Sequence, residues 1–260
     1  MLVDAHAHIF PAKIAEKATK SIGTFYGYPM EHLGCSQQLL ESGRQVGVDR
    51  YLVCSTATSP KQVESINTFI AEECKSHPEF YGFATLHPDY EAIERETDRI
   101  LELGLHGIKL HPDFQTFNID DENALPMYTV CEKKRLPILF HMGDARYTYS
   151  APHRLRNIAD KFPNLLCVGA HFGGHKNWKE AMETLKDPPN VLFDTSSTLN
   201  FITPDEATDM IHYFGAERFM WGCDFPMWGH IGEMERFMRL NLTDAERNRI
   251  FSGTFLQYFH

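Results

Sequence analysis

Two histidines sit one residue apart in "DAHAHIF", where an apolar, β-branched run near the start of the chain comes to its end. If Leu2 to Ile9 is a strand, its side chains alternate between faces, so His6 and His8 project the same way and can meet one small target. A metal ion is such a target; two polar residues where a strand meets a loop are the plainer alternative. The rest of the chain weighs on the choice. His141 follows "PILF", His171 follows "LLCVGA", Asp224 follows "FMWGC", and Lys109 lies in "GIKLHP" with His111 just beyond it. Imidazole and carboxylate are the donors a borderline divalent ion such as zinc prefers, at about 2.0–2.2 Å, and three or four of them leave room for water. Water on zinc has a pKa near about 7, which makes a hydroxide nucleophile available at neutral pH.

Other side chains near these runs carry weaker signals. "HMGDARYTYS" follows His141 with Asp144, Arg146 and Tyr147. Arginine presents a planar fork of donors suited to a substrate carboxylate or phosphate, and a salt bridge from Arg146 to Asp144 is the equal alternative. Trp178 and Trp228 are read as aromatic walls of a pocket, although an aromatic at helical spacing is more often core. His87, in "TLHPDY", is read as a supporting contact or as part of a turn before its proline. His32, His77, His106, His153, His175, His212, His230 and His260 are assigned no chemistry. "HFGGH" fits no nucleotide-binding fingerprint, so Gly173 and Gly174 are read as places where backbone passes close to the site.

These residues need elements to hold them. Eight apolar runs of strand length recur: "LVDAHAHIF", "YLVCST", "FYGFATLHP", "GIKLHP", "PILFHMG", "LLCVGAHFGG", "VLFDTS" and "FMWGCDFP". They are nearly continuous in apolar character, as expected of parallel strands covered on both faces. Helical patterns with start signals lie between them. Ser59 and Pro60 open one whose apolar face is Val63, Ile66, Ile70 and Cys74, and Thr203, Pro204 and Glu206 form a capping box before a helix ended by Gly215. Leu155, Ile158, Ala159 and Phe162 make a third stripe, and Trp178, Met182 and Leu185 a fourth.

Strict alternation of strand and helix leaves an open doubly wound sheet or a closed barrel, and eight units with chemically loaded strand ends favour a (β/α)8 TIM barrel. In that fold the active site lies at the carboxyl ends of the strands, where these residues fall. The chain of 260 residues is close to the roughly 250 typical of such a barrel. No linker or low-complexity stretch divides it, so residues 1–260 are expected to form a single domain. The longest irregular segment is expected at about residues 11–35, read either as a loop over the barrel mouth or as a partly helical structural piece.

Composition narrows the partners. With 35 acidic and 25 basic residues the formal charge is −10, which repels nucleic acid phosphates and anionic membrane surfaces, so an anionic substrate needs a local positive site. No apolar run approaches the roughly 20 residues of a membrane span, and no charged leader precedes the first run, so a soluble, unexported chain is expected. Six scattered cysteines without a CxxC pair suit a reducing compartment, the cytoplasm.

The ordered set of HxH on the first strand, Lys on the fourth, His on the fifth, His on the sixth and Asp on the eighth resembles the amidohydrolase superfamily of metal-dependent barrels. "DAHAHIF", "GIKLHPDFQ", "HMGDAR", "AHFGG" and "WGCDFP" look most like its amidohydrolase-2 branch, which also holds aminocarboxymuconate semialdehyde decarboxylase and related nonoxidative decarboxylases. The resemblance runs from Asp4 to about Pro226. It implies that His6, His8 and His141 are metal ligands, that Asp224 is a ligand or a partner of bound water, and that His171 is the acid/base residue. It also leaves Lys109 two roles: carbamylated and bridging two metals, or an ammonium holding a substrate carboxylate beside a single metal. One divalent metal, zinc before manganese, is the expectation, with the binuclear site as the alternative.

Three functions follow. The first is a metal-dependent hydrolase that opens a lactone, ester or amide of a small carboxylated substrate, with His171 or Asp224 taking the proton from water and Lys109, Arg146 and Tyr147 binding the anionic substrate. The second is a metal-dependent nonoxidative decarboxylase of an unsaturated or aromatic acid on the same ligands. The third is a barrel that binds without catalysis, disfavoured because every expected ligand and acid/base position is filled. A homodimer is compatible with aromatics near the mouth.

Overall fold

The computed structural model describes residues 1–259; His260 lies outside the described residues. The strands are short: β1 (Val3–His8), β2 (Arg50–Cys54), β3 (Phe80–Gly82), β4 (Ala84–Thr85), β5 (Ile108–Leu110), β6 (Ile138–Phe140), β7 (Cys167–Gly169), β8 (Val191–Asp194) and β9 (Phe219–Met220). Each of the eight expected runs supplies strand, and the third is split in two at Phe83. In the eighth only Phe219 and Met220 keep regular geometry, because the backbone after them turns to carry Asp224 at a φ of 60°. Nearly every strand residue is buried, which accounts for the continuous apolar runs.

The described residues form two compact units. The first comprises residues 1–54, 73–81 and those from 195 onward. In it β1 pairs in parallel with β2, Val3 opposite Arg50 and His8 opposite Cys54, with a register shift between Asp4 and Ala7. The other edge of β1 is covered by the segment after β9: Ala5 N donates to Trp221 O at 2.9 Å, His8 N to Phe225 O at 2.6 Å, and Ala7 bridges Phe225 in parallel. Backbone hydrogen bonds on both sides therefore hold the histidine-bearing strand against the segment that carries Asp224.

The second unit comprises residues 55–72 and 82–194. Here β4 to β8 lie side by side in chain order, all parallel, with Ile108 opposite Ile138, Ile138 opposite Cys167 and Cys167 opposite Val191. Lys109 stands in the middle of β5, His141 follows directly on β6, and His171 follows β7 after Ala170.

Helix signals read from sequence correspond to helices. Thr203 caps the helix Pro204–Phe214: its Oγ1 accepts from Glu206 N, Glu206 Oε2 accepts from Thr203 N at 2.8 Å, and Gly215 ends it. Ser59 opens a 3-10 turn that runs into the helix Val63–Ser76, with Gln62 Oε1 accepting from Ser59 N at 3.1 Å. The segment 11–35 takes the partly helical of its two readings. Residues Ala12–Tyr26 form a helix of 15 residues, ended by Gly27 at a φ of 72°, and only the remainder is irregular. Its buried positions are Ala15, Thr19 and Gly23, small residues four apart, so the packed face lacks the large apolar side chains by which an amphipathic helix is usually recognised.

Candidate metal centre and active site

Within the first unit, His6 and His8 project from the same face of β1, their Nε2 atoms 3.2 Å apart. Asp224 Oδ1 lies 3.3 Å from His8 Nε2 and 3.7 Å from His6 Nε2. Ligands bound about 2.1 Å from one ion at tetrahedral angles are roughly 3.4 Å apart, so these three atoms have the mutual spacing of a divalent metal's donor set. The supporting contacts suit the same use. Ser196 Oγ stands 3.1 Å from His6 Nδ1, and Cys54 Sγ stands 3.6 Å from His8 Nδ1 while donating to Ala7 O. A proton on each Nδ1 leaves each Nε2 lone pair directed at the shared point. Cys54 meets the opposite nitrogen of His8 from the one that converges, so it supports the ring and lies outside the converging set.

Asp224 does not cap a helix, the alternative for an aspartate after the eighth strand. Its N–H donates to His6 O at 2.7 Å and its Oδ2 accepts from Ser197 Oγ at 2.5 Å.

Sequence reading missed two residues here. Asp4, fully buried, accepts on Oδ1 the backbone N–H groups of His6 and Cys223, each at 3.0 Å. Its Oδ2 meets His230 Nε2 at 2.9 Å, and His230 Nδ1 meets Ser42 Oγ at 2.8 Å. One carboxylate thus ties together the two backbone segments that bear the converging donors. The signal available in the sequence was an aspartate between Val3 and Ala5 in an otherwise apolar run, which a buried position tolerates only with full hydrogen bonding. His230, assigned no chemistry from sequence, is buried as the other half of that pair.

Within the second unit, His141 Nδ1 lies 3.0 Å from His171 Nε2, and His141 Nε2 lies 3.2 Å from Gly143 O. The carbonyl can only accept, so Nε2 carries the proton and Nδ1 presents its lone pair. Burial, with His111, His171 and Lys109 close by, pushes His141 well below the usual histidine range and keeps it neutral, the form in which imidazole binds metal. Its ring stacks on His111 at a centroid distance of 3.9 Å. Lys109 is fully buried in β5, its backbone oxygen accepting from Thr85 Oγ1 at 3.1 Å.

His171 sits at a φ of 60°, its N–H donating to Asp194 Oδ1 at 3.0 Å and its carbonyl accepting from Trp178 Nε1 at 3.1 Å. Trp178 therefore props the backbone of His171. Gly173 has a φ of 77°, and a Cβ there would come within 2.8 Å of the Phe193 ring, so the close approach at "HFGGH" is to a buried core side chain. Asp113, also missed, accepts from Ser150 Oγ at 2.5 Å and lies 3.8 Å from His141 Nε2; burial pushes its carboxyl up to about 6.

The remaining expectations resolve locally. Arg146 takes the salt-bridge reading: Nε and Nη2 hold Asp144 at 2.9 and 2.7 Å, and its guanidinium lies 5.3 Å over the ring of Tyr147. Both Arg146 and Tyr147 are exposed, and Nε and Nη2 of the fork expected to grip a substrate are on Asp144. His87 takes the turn reading, its Nδ1 accepting from Asp89 N at 3.2 Å. Trp228 lines a cavity of about 700 Å³ with His32, Asn200 and Arg236, to which His6, His8 and Asp224 do not contribute.

The alternating parallel fold, with imidazole and carboxylate donors at the strand ends, defines a metal-dependent barrel enzyme. The chain belongs to the amidohydrolase family: the Amidohydro_2 family model, described as Amidohydrolase, matches residues 3–254. No curated protein sequence matches it. Among solved structures, an uncharacterized TIM-barrel protein from Bordetella bronchiseptica is similar at 18% identity and a TM-score of 0.78, covering 99% of this chain and 97% of that one. The 5-carboxyvanillate decarboxylase LigW from Sphingomonas paucimobilis is similar at 14% identity and a TM-score of 0.75, covering 99% and 98%. A dihydroxybenzoic acid decarboxylase from Polaromonas sp. JS666, solved with manganese and the inhibitor 2-nitroresorcinol, is similar at 16% identity and a TM-score of 0.75, covering 99% and 96%. These likenesses show the fold, the (β/α)8 barrel expected from the eight runs. Among the described residues no helix is long and apolar enough to cross a membrane.

Proposed function

We propose that this chain is a metal-dependent nonoxidative decarboxylase of a small aromatic or unsaturated carboxylic acid. The observation that carries the metal-dependent part is the convergence of His6 Nε2, His8 Nε2 and Asp224 Oδ1 within 3.7 Å. The choice of reaction is supported by the similar solved enzymes, two of which are decarboxylases of hydroxylated benzoates. Aromatic surface in the first unit also favours it: Tyr28, Phe201 and Trp228 pack edge to face, with ring centroids about 6 Å apart.

A divalent ion held by His6, His8 and Asp224, with His141 keeping the ligand role that the family resemblance implies, supplies a fixed positive charge for the oxygens of an acidic substrate. One such ion is proposed; manganese is as fitting as zinc, since the Polaromonas enzyme was solved with it. Lys109 is the cation assigned to the substrate carboxylate. Asp224 and His171 are the groups that hold and hand over the proton. The carbon bearing the carboxylate takes that proton, the carbon–carbon bond breaks with its electron pair returning to the ring or alkene, and carbon dioxide leaves. One proton is consumed and no redox partner is needed. We further take the chain to act as a single catalytic domain in the cytoplasm, on a small anion and not on nucleic acid or membrane, with a homodimer as the assembly to test.

The deciding experiment is a substrate screen with the manganese- and the zinc-loaded protein, following carbon dioxide release from hydroxybenzoates and dienoic acids beside hydrolysis of lactones, esters and amides. Carbon dioxide release that is lost in Asp224→Asn supports the decarboxylase. Turnover of a lactone, ester or amide alone returns the assignment to the hydrolase reading, which uses the same donors.

A further inference from the structure

Asp224 is held from behind by a directional chain of two side chains, neither of which belongs to the converging donor set. Trp228 Nε1 lies 2.8 Å from Ser197 Oγ, and Ser197 Oγ lies 2.5 Å from Asp224 Oδ2. The indole N–H can only donate, so Ser197 must accept from Trp228, and its single hydroxyl proton is left to donate to Asp224. The direction is thereby fixed along the whole chain: tryptophan to serine to carboxylate. Oδ2 becomes the anchored oxygen, and Oδ1 is the one presented to His6 and His8 at 3.7 and 3.3 Å.

The backbone is arranged for this contact. Ser197 has a φ of 53° and Asp224 a φ of 60°, left-handed conformations that glycine adopts more easily, yet both positions carry the side chains that make the bond. Trp228 is steadied in turn by the edge-to-face rings of Tyr28, from the segment after the first helix, and Phe201, from the segment after Ser197. The last torsion of an unanchored carboxylate is broad, and the chain from Trp228 narrows it.

We propose that Ser197, oriented by Trp228, is a positioning residue that fixes Asp224 so that Oδ1 serves the metal and the substrate. This deepens the reading of His6, His8 and Asp224 as a metal centre and rests on it. Outer contacts of this kind typically change metal affinity or activity by about 10–100-fold when removed.

The test compares the full-length wild type with Ser197→Ala, Trp228→Phe and the double variant. It uses manganese affinity by titration calorimetry, the visible spectrum of the cobalt-loaded protein, and kcat and KM on a substrate found in the screen. Phenylalanine keeps an aromatic ring to pack on Tyr28 and Phe201 and removes the N–H together with the pyrrole half of the indole. The expected result is manganese binding weakened at least about tenfold in each single variant, an altered cobalt spectrum, and a loss in kcat larger than any change in KM. The double variant should be no worse than Ser197→Ala, because the two residues act through one bond.

Wild-type manganese affinity and cobalt spectrum in Trp228→Phe, or losses that multiply in the double variant, overturn the proposal. If Ser197→Ala does not fold, Ser197→Gly, which suits the left-handed backbone, takes its place. Failure of the underlying reading is separate: manganese retained in both His6→Ala and His8→Ala refutes the metal centre whatever Ser197 does.

Discussion

His230 Nε2 meets Asp4 Oδ2 at 2.9 Å with both side chains fully buried, far from each other in sequence and joined beneath the donor set. Replacing Asp4 by alanine leaves the His6 and Cys223 N–H groups and the His230 ring without their acceptor. Breaking a buried pair in this way costs about 3–5 kcal/mol. Urea denaturation of Asp4→Ala should show a loss of that order, and its metal content should fall with it; a loss under about 1 kcal/mol would mean that the clamp contributes little.

Metal content per chain separates the two roles of Lys109. Elemental analysis of protein prepared without chelator or affinity metal should give about one divalent ion per chain, the usual occupancy of a single site. His6→Ala and His8→Ala should lose it and Lys109→Ala should keep it. Two ions in the wild type, falling in Lys109→Ala, would indicate a carbamylated bridging lysine.

Arg146 is paired with Asp144, so Arg146→Ala should change KM less than about threefold, the scale of a half-exposed ion pair worth about 1 kcal/mol. Lys109→Ala, by contrast, should raise KM steeply, because it removes the buried cation proposed to hold the substrate carboxylate. Kinetics of the two variants on one substrate check both statements together.

Glu233, in the helix His230–Met238, carries a pH signature. Its Oε1 accepts from Asn200 Nδ2 at 2.8 Å and from Arg236 Nη2 at 2.7 Å, while its buried Oε2 has no partner among the described residues. Burial outweighs Arg236 and pushes the carboxyl up from 4.5 to about 7. Between those values the folded protein keeps a proton that the unfolded chain has lost, so this group's contribution makes stability fall as pH rises from about 4.5 to about 7. The size is on the order of 3 kcal/mol. Glu233→Gln should flatten that part of the pH–stability curve measured by urea denaturation.

Gly143 stands where its carbonyl meets the His141 ring. It has a φ of 80°, and a Cβ there would lie 2.4 Å from His175 N. Gly143→Ala should lower stability by at least about 1–3 kcal/mol, the cost of a strained backbone position, with the clash adding to it. A circular-dichroism melt beside the wild type reads the effect.

Much of this molecule was legible before folding was considered. Alternation along β1 placed His6 and His8 on one face, and period and capping residues marked the helix from Pro204 with its Thr203–Glu206 box. For residues 11–35 the sequence leaves a loop and a partly helical piece open, because the packed face of the helix Ala12–Tyr26 is Ala15, Thr19 and Gly23, which carry little apolar contrast. For Arg146 both outcomes were open, since a donor fork in a loop is equally suited to a substrate and to a carboxylate two residues away.

The sequence by itself determined the candidate residues and their order, HxH, Lys, His, His and Asp on the first, fourth, fifth, sixth and eighth apolar runs, because strand periodicity and apolar runs are local properties. The tertiary structure alone decided which atom of each donor is presented. Ser196 meets His6, His230 meets Asp4 and Ser197 meets Asp224 across 190, 226 and 27 residues of chain. Such pairings leave no periodic trace in sequence, since they depend on where distant backbone segments come together and on which hydrogen-bond donors have only one acceptor within reach.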